Sequence, residues 1–370
     1  MTHILQPALT AIPPDLVCLT DYEKAARDFI RHDILEYING GVADDSTRVN
    51  NTRAFDDLTL YNRILADFSQ PSTRTQLFNT PLAHPIILAP VAHQQLVHPD
   101  GECATAAAAA AMNTPMIVSS LSNQPLQDIA AQGAHWWFQL YWQPSLEANQ
   151  VLLKRAIDAG GEAIVVTLDA PVSGLRNRAQ RAGFQLPDHV QEINLSGLPA
   201  APVRTLNPGD SRVLHGFMQD APSRDNLAQL RQWTDLPLLA KGLSHPEDAR
   251  ALQALGFDGL IVSTHGGRTL DGLPAAIHNL PRIRAACPDL PILMDSGIRR
   301  GTDVLKALAL GADAVCIGRP QMWGLAVAGA LGVAHCLKIL QEELEVAMAL
   351  TGCATLEHIT DAVLAPVTIR

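Results

Sequence analysis

"IVSTHGGRTLDG", residues 261–272, runs from small and apolar residues into a histidine, two glycines, an arginine and an aspartate. The apolar, β-branched start reads as a buried strand. It stops abruptly in side chains that carry chemistry. Strands buried on both faces of a parallel sheet read as near-continuous apolar runs rather than as alternation. Such runs recur at "PIILAP" (85–90), "MIVSS" (116–120), "WWFQLYW" (136–142), "AIVVTLD" (163–169), "LPLLAKG" (236–242), "GLIVST" (259–264), "PILMDSG" (291–297) and "AVCIGRP" (314–320). Helical patterns such as "SLEANQVLLKRAIDAGG" and "RGTDVLKALALGA" lie between most of them. Eight strands alternating with helices point to an α/β fold, a (β/α)8 TIM barrel.

Around that barrel, residues 1–75 hold helical patterns and read as an N-terminal extension packed on it, with 76–370 as the barrel and its C-terminal helices. Residues 174–234 are too long for an ordinary connection and are rich in Pro, Gly and Ser at their centre, so they read as a lid-like loop. With 47% apolar and 17% charged residues, the chain is globular rather than disordered. Acids outnumber bases 37 to 27, which argues against nucleic acid or anionic lipid as the main partner. No CxxC pair, HExxH or other metal spacing appears, so no metal is expected. The six cysteines sit mostly in apolar runs and read as reduced thiols. The N-terminus lacks the basic start and apolar core of a signal peptide, and the uncharged run Pro320–Leu337 reads as a core helix rather than a membrane span. A cytoplasmic protein is the expectation.

In such barrels the reactive groups gather at the C-terminal ends of the strands. Those ends carry Pro90-Val91-Ala92, Ser119, Gln139 and Tyr141, Thr167 and Asp169, Lys241, Ser263 with His265 and Arg268, Asp295 with Gly297, and Gly318-Arg319. A lone histidine is more often structural. One that shares a barrel mouth with Arg, Asp, Lys and Tyr reads as functional. After the last two strands, "DSGIRRGTDV" (295–304) and "CIGRPQMWG" (316–324) place glycine beside arginine, where barrels commonly bind phosphate. There is no strand-following GxGxxG and no P-loop. Lys241 could form a Schiff base, and its neighbours leave that open.

Taken together, "YINGGVADD" (37–45), "APVA" (89–92), "HPDGE" (98–102), "FQLYW" (138–142), "TLDAP" (167–171), "GLRNR" (174–178), "AKG" (240–242), "VSTHGGRTLD" (262–271), "DSGIRRGTDVLKALALGA" (295–312) and "IGRP" (317–320) make the chain resemble the FMN-dependent α-hydroxy acid oxidases and dehydrogenases, the group of glycolate, lactate and hydroxymandelate oxidase. The resemblance implies FMN across the barrel mouth. Its phosphate would lie by Gly297, Arg299, Gly318 and Arg319, and its ring by Pro90, Val91, Ala92, Ser119, Gln139 and Thr167. Lys241 would sit at the N1–C2=O edge, displacing the Schiff-base idea, and Asp295 and Ser263 would support the ribityl chain. It also implies His265 as base oriented by Asp169, Arg268 and Arg176 on the substrate carboxylate, and Tyr37 and Tyr141 as hydrogen-bonding phenols.

The implied reaction converts a small (S)-2-hydroxy carboxylate to the 2-oxo acid, with O2 reduced to H2O2 and a homotetramer as the assembly. Alanine at Ala92, against the flavin face in the family, favours an oxidase, because it accompanies fast release of product and peroxide in lactate-oxidising relatives. The alternatives are a dehydrogenase using a quinone, an isopentenyl diphosphate isomerase of type 2, or a non-catalytic flavin-binding barrel. Departures from the usual pattern are Thr264 before the histidine, Ser296 within "DSG", Leu121 where an aromatic is common, and no tyrosine in the loop after strand four. Phe184, His189 and Phe217 stand as substitutes for that tyrosine.

Overall fold

Eight short parallel strands close on themselves in a computed structural model that describes residues 4–366. Helices α1 (Leu19–Phe29), α2 (His32–Asn39) and α3 (Ser46–Arg53) come first, followed by the antiparallel hairpin of β1 (Thr75–Leu77) and β2 (Thr80–Leu82). The barrel is β3 (Ile86–Leu88), β4 (Met116–Ser119), β5 (Trp136–Tyr141), β6 (Ile164–Thr167), β7 (Leu238–Leu243), β8 (Gly259–Val262), β9 (Ile292–Met294) and β10 (Ala314–Ile317), with β10 pairing back to β3. Around it lie α4 (Gly101–Ala111), α5 (Leu126–Ala130), α6 (Leu146–Asp158), α7 (Asn177–Arg181), α8 (Arg224–Gln232), α9 (Pro246–Ala254), α10 (Ala276–Ala286), α11 (Gly301–Ala309) and α12 (Arg319–Thr351).

The strands read as unbroken apolar runs because both of their faces are buried. Ile87, Ile117, Trp137, Val165, Leu239, Ile261, Leu293 and Cys316 fill the lumen. Their chain neighbours, such as Ile86, Leu88, Val118, Phe138 and Val166, pack outward on the helices. The hairpin was not expected. It plugs the lower end of the lumen with Leu77 and Leu82, and Phe78 meets Trp137 edge-on at 5.9 Å.

One expectation needs correction. The stretch 174–234 is not one lid-like loop, because it contains α7 and the barrel helix α8, which starts at a capping box on Ser223. Its first half is also tied down. Arg178 forks onto Glu36 at 2.6 and 2.8 Å and reaches Asp45 at 2.9 Å, while Asn194 donates to Ser122 at 2.7 Å. Its longest stretch without helix or turn is 198–207, which holds two prolines. Within α12 two helical segments meet at a kink at Ala328–Gly329, where the backbone leaves helical φ/ψ and Gly329 has φ +57°. By length and composition α12 could cross a membrane, yet 72% of its apolar window is buried inside the protein.

Trp137 is fully buried and is the largest side chain in the lumen. Trp137→Ala is expected to destabilise the fold by about 3–5 kcal/mol, read as a lower midpoint in urea unfolding. An unchanged midpoint would mean that the lumen is not packed as described.

Candidate active site

Strand β8 ends at Val262, and the chain then makes a turn that few residues tolerate. His265, Gly266 and Gly267 have φ of +55°, +64° and +74°, three left-handed residues in a row. Glycine adopts that region without penalty, whereas histidine does not. At Gly267 there is also no room for a side chain, since a Cβ would lie 2.6 Å from the Arg48 amide nitrogen. The turn lifts the His265 imidazole over the barrel mouth. Its Nδ1 lies 2.9 Å from Asp169 Oδ1 and its Nε2 lies 3.2 Å from the Tyr141 hydroxyl. A carboxylate only accepts, so Nδ1 carries the proton and Nε2 keeps its lone pair.

Asp169 follows β6 and is pressed against a bulge in β7, where the pairing register shifts between Lys241 and Leu243. A Cβ on Gly242 would stand 2.5 Å from Asp169 Cβ, so this glycine is what lets the carboxylate sit there. Burial works to raise the Asp169 pKa, but His265 and Lys241 outweigh it and hold the group below its ordinary value. For His265 burial is the largest effect and keeps the imidazole below its ordinary value, with Asp169 pulling the other way. The Tyr141 phenol is pushed up to about 12 by burial.

Lys241 lies on the floor of the mouth, 3.0 Å from Asp295 Oδ2 and donating to Ser263 Oγ at 2.9 Å. Burial lowers its pKa, but Asp295 and Asp169 outweigh burial and hold it above the ordinary lysine value. The ion pair with Asp295 favours the charged ammonium, which is no nucleophile, over the neutral amine that a Schiff base needs. Asp295 and Ser263 therefore hold Lys241 here.

Four half-buried arginines line the same cavity as this lysine. Arg176 and Arg268 place their guanidinium carbons 5.2 and 5.0 Å from the centre of the Tyr37 ring, whose other contact is Phe184, stacked at 4.1 Å. Burial lowers the Arg268 pKa to about 10, with Arg176 beside it adding repulsion. The Nε of Arg176 is buried without a partner, as is Asp169 Oδ2. Arg268 donates to the carbonyls of Tyr37, Ile38 and Gly40, and Arg319 to those of Ile38, Gly266 and Gly40. Burial also lowers the Arg299 pKa, and this guanidinium lies 4.9 Å over the Trp323 ring. Cations so buried call for an anionic ligand.

One cavity collects most of the residues expected at the site. Its lining includes Tyr37, Pro90, Val91, Ala92, Ser119, Tyr141, Thr167, Arg176, Lys241, His265, Arg268, Asp295, Gly297, Arg299, Gly318 and Arg319. Asp169, Gln139 and Ser263 are not among the lining residues. Gln139 braces Ser119 and Thr167 from behind, at 3.1 and 2.9 Å. An adjoining cavity of about 340 Å³ opens over His265 and Arg268, between Leu121, Trp142 and Phe217. Asp271, though part of the opening stretch, lines neither cavity. It accepts from the amides of Asp44, Ser46 and Thr47 and so caps α3. The sequence reading missed the stacking of Phe184 on Tyr37, that of Trp323 under Arg299, and the backbone carbonyls that end α2. Among the described residues no group of three or more His, Cys, Asp or Glu gathers to hold a metal.

The model of the FMN-dependent dehydrogenase family matches residues 26–366. The chain belongs to that family. It is 48% identical to an L-lactate oxidase of Alicycliphilus denitrificans over 96% of this chain and 98% of the relative. A 4-hydroxymandelate oxidase of Amycolatopsis orientalis is 43% identical over 91% and 95%. A solved structure of mandelate oxidase with (S)-2-phenylpropionate superposes with a TM-score of 0.85 at 40% identity, covering 94% of this chain and 98% of that one. The donor set fits the family's FMN. Arg299 and Arg319 with the turns at Gly297 and Gly318 would hold its phosphate, Lys241 would face the N1–C2=O edge, and Pro90, Val91 and Ala92 would lie against the ring.

If neutral His265 is the base, lowering the pH through its pKa removes activity. Because that pKa lies below the ordinary imidazole value of about 6.5, kcat/KM is expected to stay level down to pH 6.5 and fall only below it. His265→Ala is expected to keep FMN but slow flavin reduction by on the order of 10²–10⁴. A stopped-flow trace of bleaching at several pH values checks both, and near-native bleaching by His265→Ala removes His265 from the chemistry.

Proposed function

We propose that the protein oxidises an (S)-2-hydroxy acid, lactate-, glycolate- or mandelate-like, to the 2-oxo acid and reduces O2 to H2O2. The observation that carries this reading is the proton-free His265 Nε2 facing the same space as the Arg176 and Arg268 guanidiniums. Two arginines suit a carboxylate, since each offers a planar fork of donors. A substrate so anchored would bring its carbinol to His265 Nε2 and the Tyr141 hydroxyl. His265 takes one proton from the carbinol, and Asp169 stabilises the imidazolium that results. The reaction removes two hydrogens from the substrate and delivers them to O2 as H2O2, with FMN supplying the two-electron acceptor between them. The names of the relatives, oxidases of L-lactate and of 4-hydroxymandelate, support both the substrate class and oxygen as acceptor.

The test is anaerobic reduction of the bound flavin by (S)-lactate, glycolate, (S)-mandelate and longer 2-hydroxy acids, followed by mixing with air-saturated buffer. Reduction by at least one substrate, rapid reoxidation and stoichiometric H2O2 are expected. Reoxidation only by a quinone or dye would make the protein a dehydrogenase. In the same assay Arg268→Lys, which cannot pair bidentately, should lose on the order of 10–100-fold in kcat/KM. An unchanged value would displace Arg268 from the carboxylate.

We also infer a cytoplasmic homotetramer. Six free cysteines, five of them buried, suit a reducing compartment. Ile64 and Leu65, 83% and 95% exposed beside half-exposed Tyr61 and Phe68, suit a covered subunit face. Light scattering on the eluted protein should give four times 39.8 kDa, and a monomer mass would refute the assembly.

A further inference from the structure

The turn that carries His265 hangs on two hydroxyls, and both lead to Lys241. The His265 amide donates to Ser263 Oγ at 2.9 Å, and Ser263 Oγ also accepts from Lys241 Nζ at 2.9 Å. On the other side, the Gly266 amide donates to Ser296 Oγ at 3.0 Å, joined by the Thr264 amide at 3.3 Å. The Ser296 hydroxyl donates to Asp295 Oδ1 at 2.7 Å, and Asp295 Oδ2 lies 3.0 Å from Lys241 Nζ. The circuit closes. Its two ends are the peptide groups on either side of the imidazole, and its middle is the ammonium on the cavity floor.

Ser296 is the unexpected member. It follows β9 with φ +79°, a conformation that suits glycine and strains serine. Its hydroxyl is also used to capacity, with one hydrogen donated and two accepted. A glycine here would relieve the backbone but leave the Thr264 and Gly266 amides and one Asp295 oxygen without this partner, in a place where Ser296 is only 9% exposed. Thr264 Oγ1 also accepts from Asn51 Nδ2 at 2.7 Å, so without Ser296 the turn would keep this bond and the one to Ser263 but lose its tie to Asp295.

We propose that Ser296 is a positioning residue for His265: its hydroxyl shares Asp295 between the left-handed turn and Lys241 and so fixes the pitch of the imidazole. The rate part of this rests on the oxidase reading above; the geometric part does not. Ser296→Gly removes the hydroxyl and suits the backbone. Ser296→Ala removes the hydroxyl and keeps the strain.

Both variants are prepared with FMN, and their flavin content and thermal midpoint are recorded. The His265 imidazole is then titrated by NMR without substrate. This ring is faced by Asp169, Tyr141, Lys241 and Arg268, and in both variants it is expected to gain water and titrate higher, towards the ordinary imidazole range. Single-turnover flavin reduction by the best substrate of the wild type should slow in both by on the order of 10–100-fold, with the substrate Kd held within about two-fold. Either a wild-type titration or a wild-type reduction rate in Ser296→Gly overturns the proposal. So does a normal Ser296→Gly beside a slow Ser296→Ala, which would assign the effect to the backbone alone. If no 2-hydroxy acid bleaches even the wild type, the oxidase reading fails, and the titration still decides the role of Ser296.

Discussion

Buried positive charge organises this molecule. Arg268, Arg299 and Arg319 are packed into the barrel mouth, and desolvation pulls each below the ordinary arginine value. Holding guanidinium groups in such a place requires fixed negative ends of dipoles, because the cost of an unpaired buried ion is large. The carbonyls that end helix α2 supply them for Arg268 and Arg319. These are the groups that a helix leaves unsatisfied, at the negative end of its dipole. The N-terminal extension is thus part of the site: it holds the cations that the ligands' anionic groups then complete.

The second constraint is geometric. A parallel barrel places strand ends in a ring, but a ring alone does not bring an imidazole to a carboxylate two strands away. The bulge at Gly242 makes room for Asp169, and the left-handed run from His265 to Gly267 carries the imidazole towards it. Both depend on atoms that are missing, namely the Cβ groups that glycine lacks. The Lys241–Asp295 pair fixes the floor under them.

Most of this was legible in the sequence for one reason. Burial on both faces gives continuous apolar runs, and all eight strands announce themselves that way. The residues that end them gather at the barrel mouth, so the placement of His265, Asp169, Lys241 and Arg268 there could be read from position alone. Contacts made by backbone could not. Nothing in "YINGG" says that its carbonyls hold two arginines, and nothing in "RTLDG" says that Asp271 caps a helix far away in the chain. The hairpin 75–82 was missed because three-residue strands are too short to show a period. Helix α8 was hidden by its Pro- and Gly-rich approach, although Ser223 with Asn226 carried a capping signal.

The plug beneath the barrel has a consequence for traffic. Phe78, Trp137 and the leucines of the hairpin seal the lower end of the lumen, so the chemistry sits in a blind alley, not a corridor. Substrate and product therefore share the upper face, where Leu121, Trp142 and Phe217 line the cavity beside His265 and Arg268.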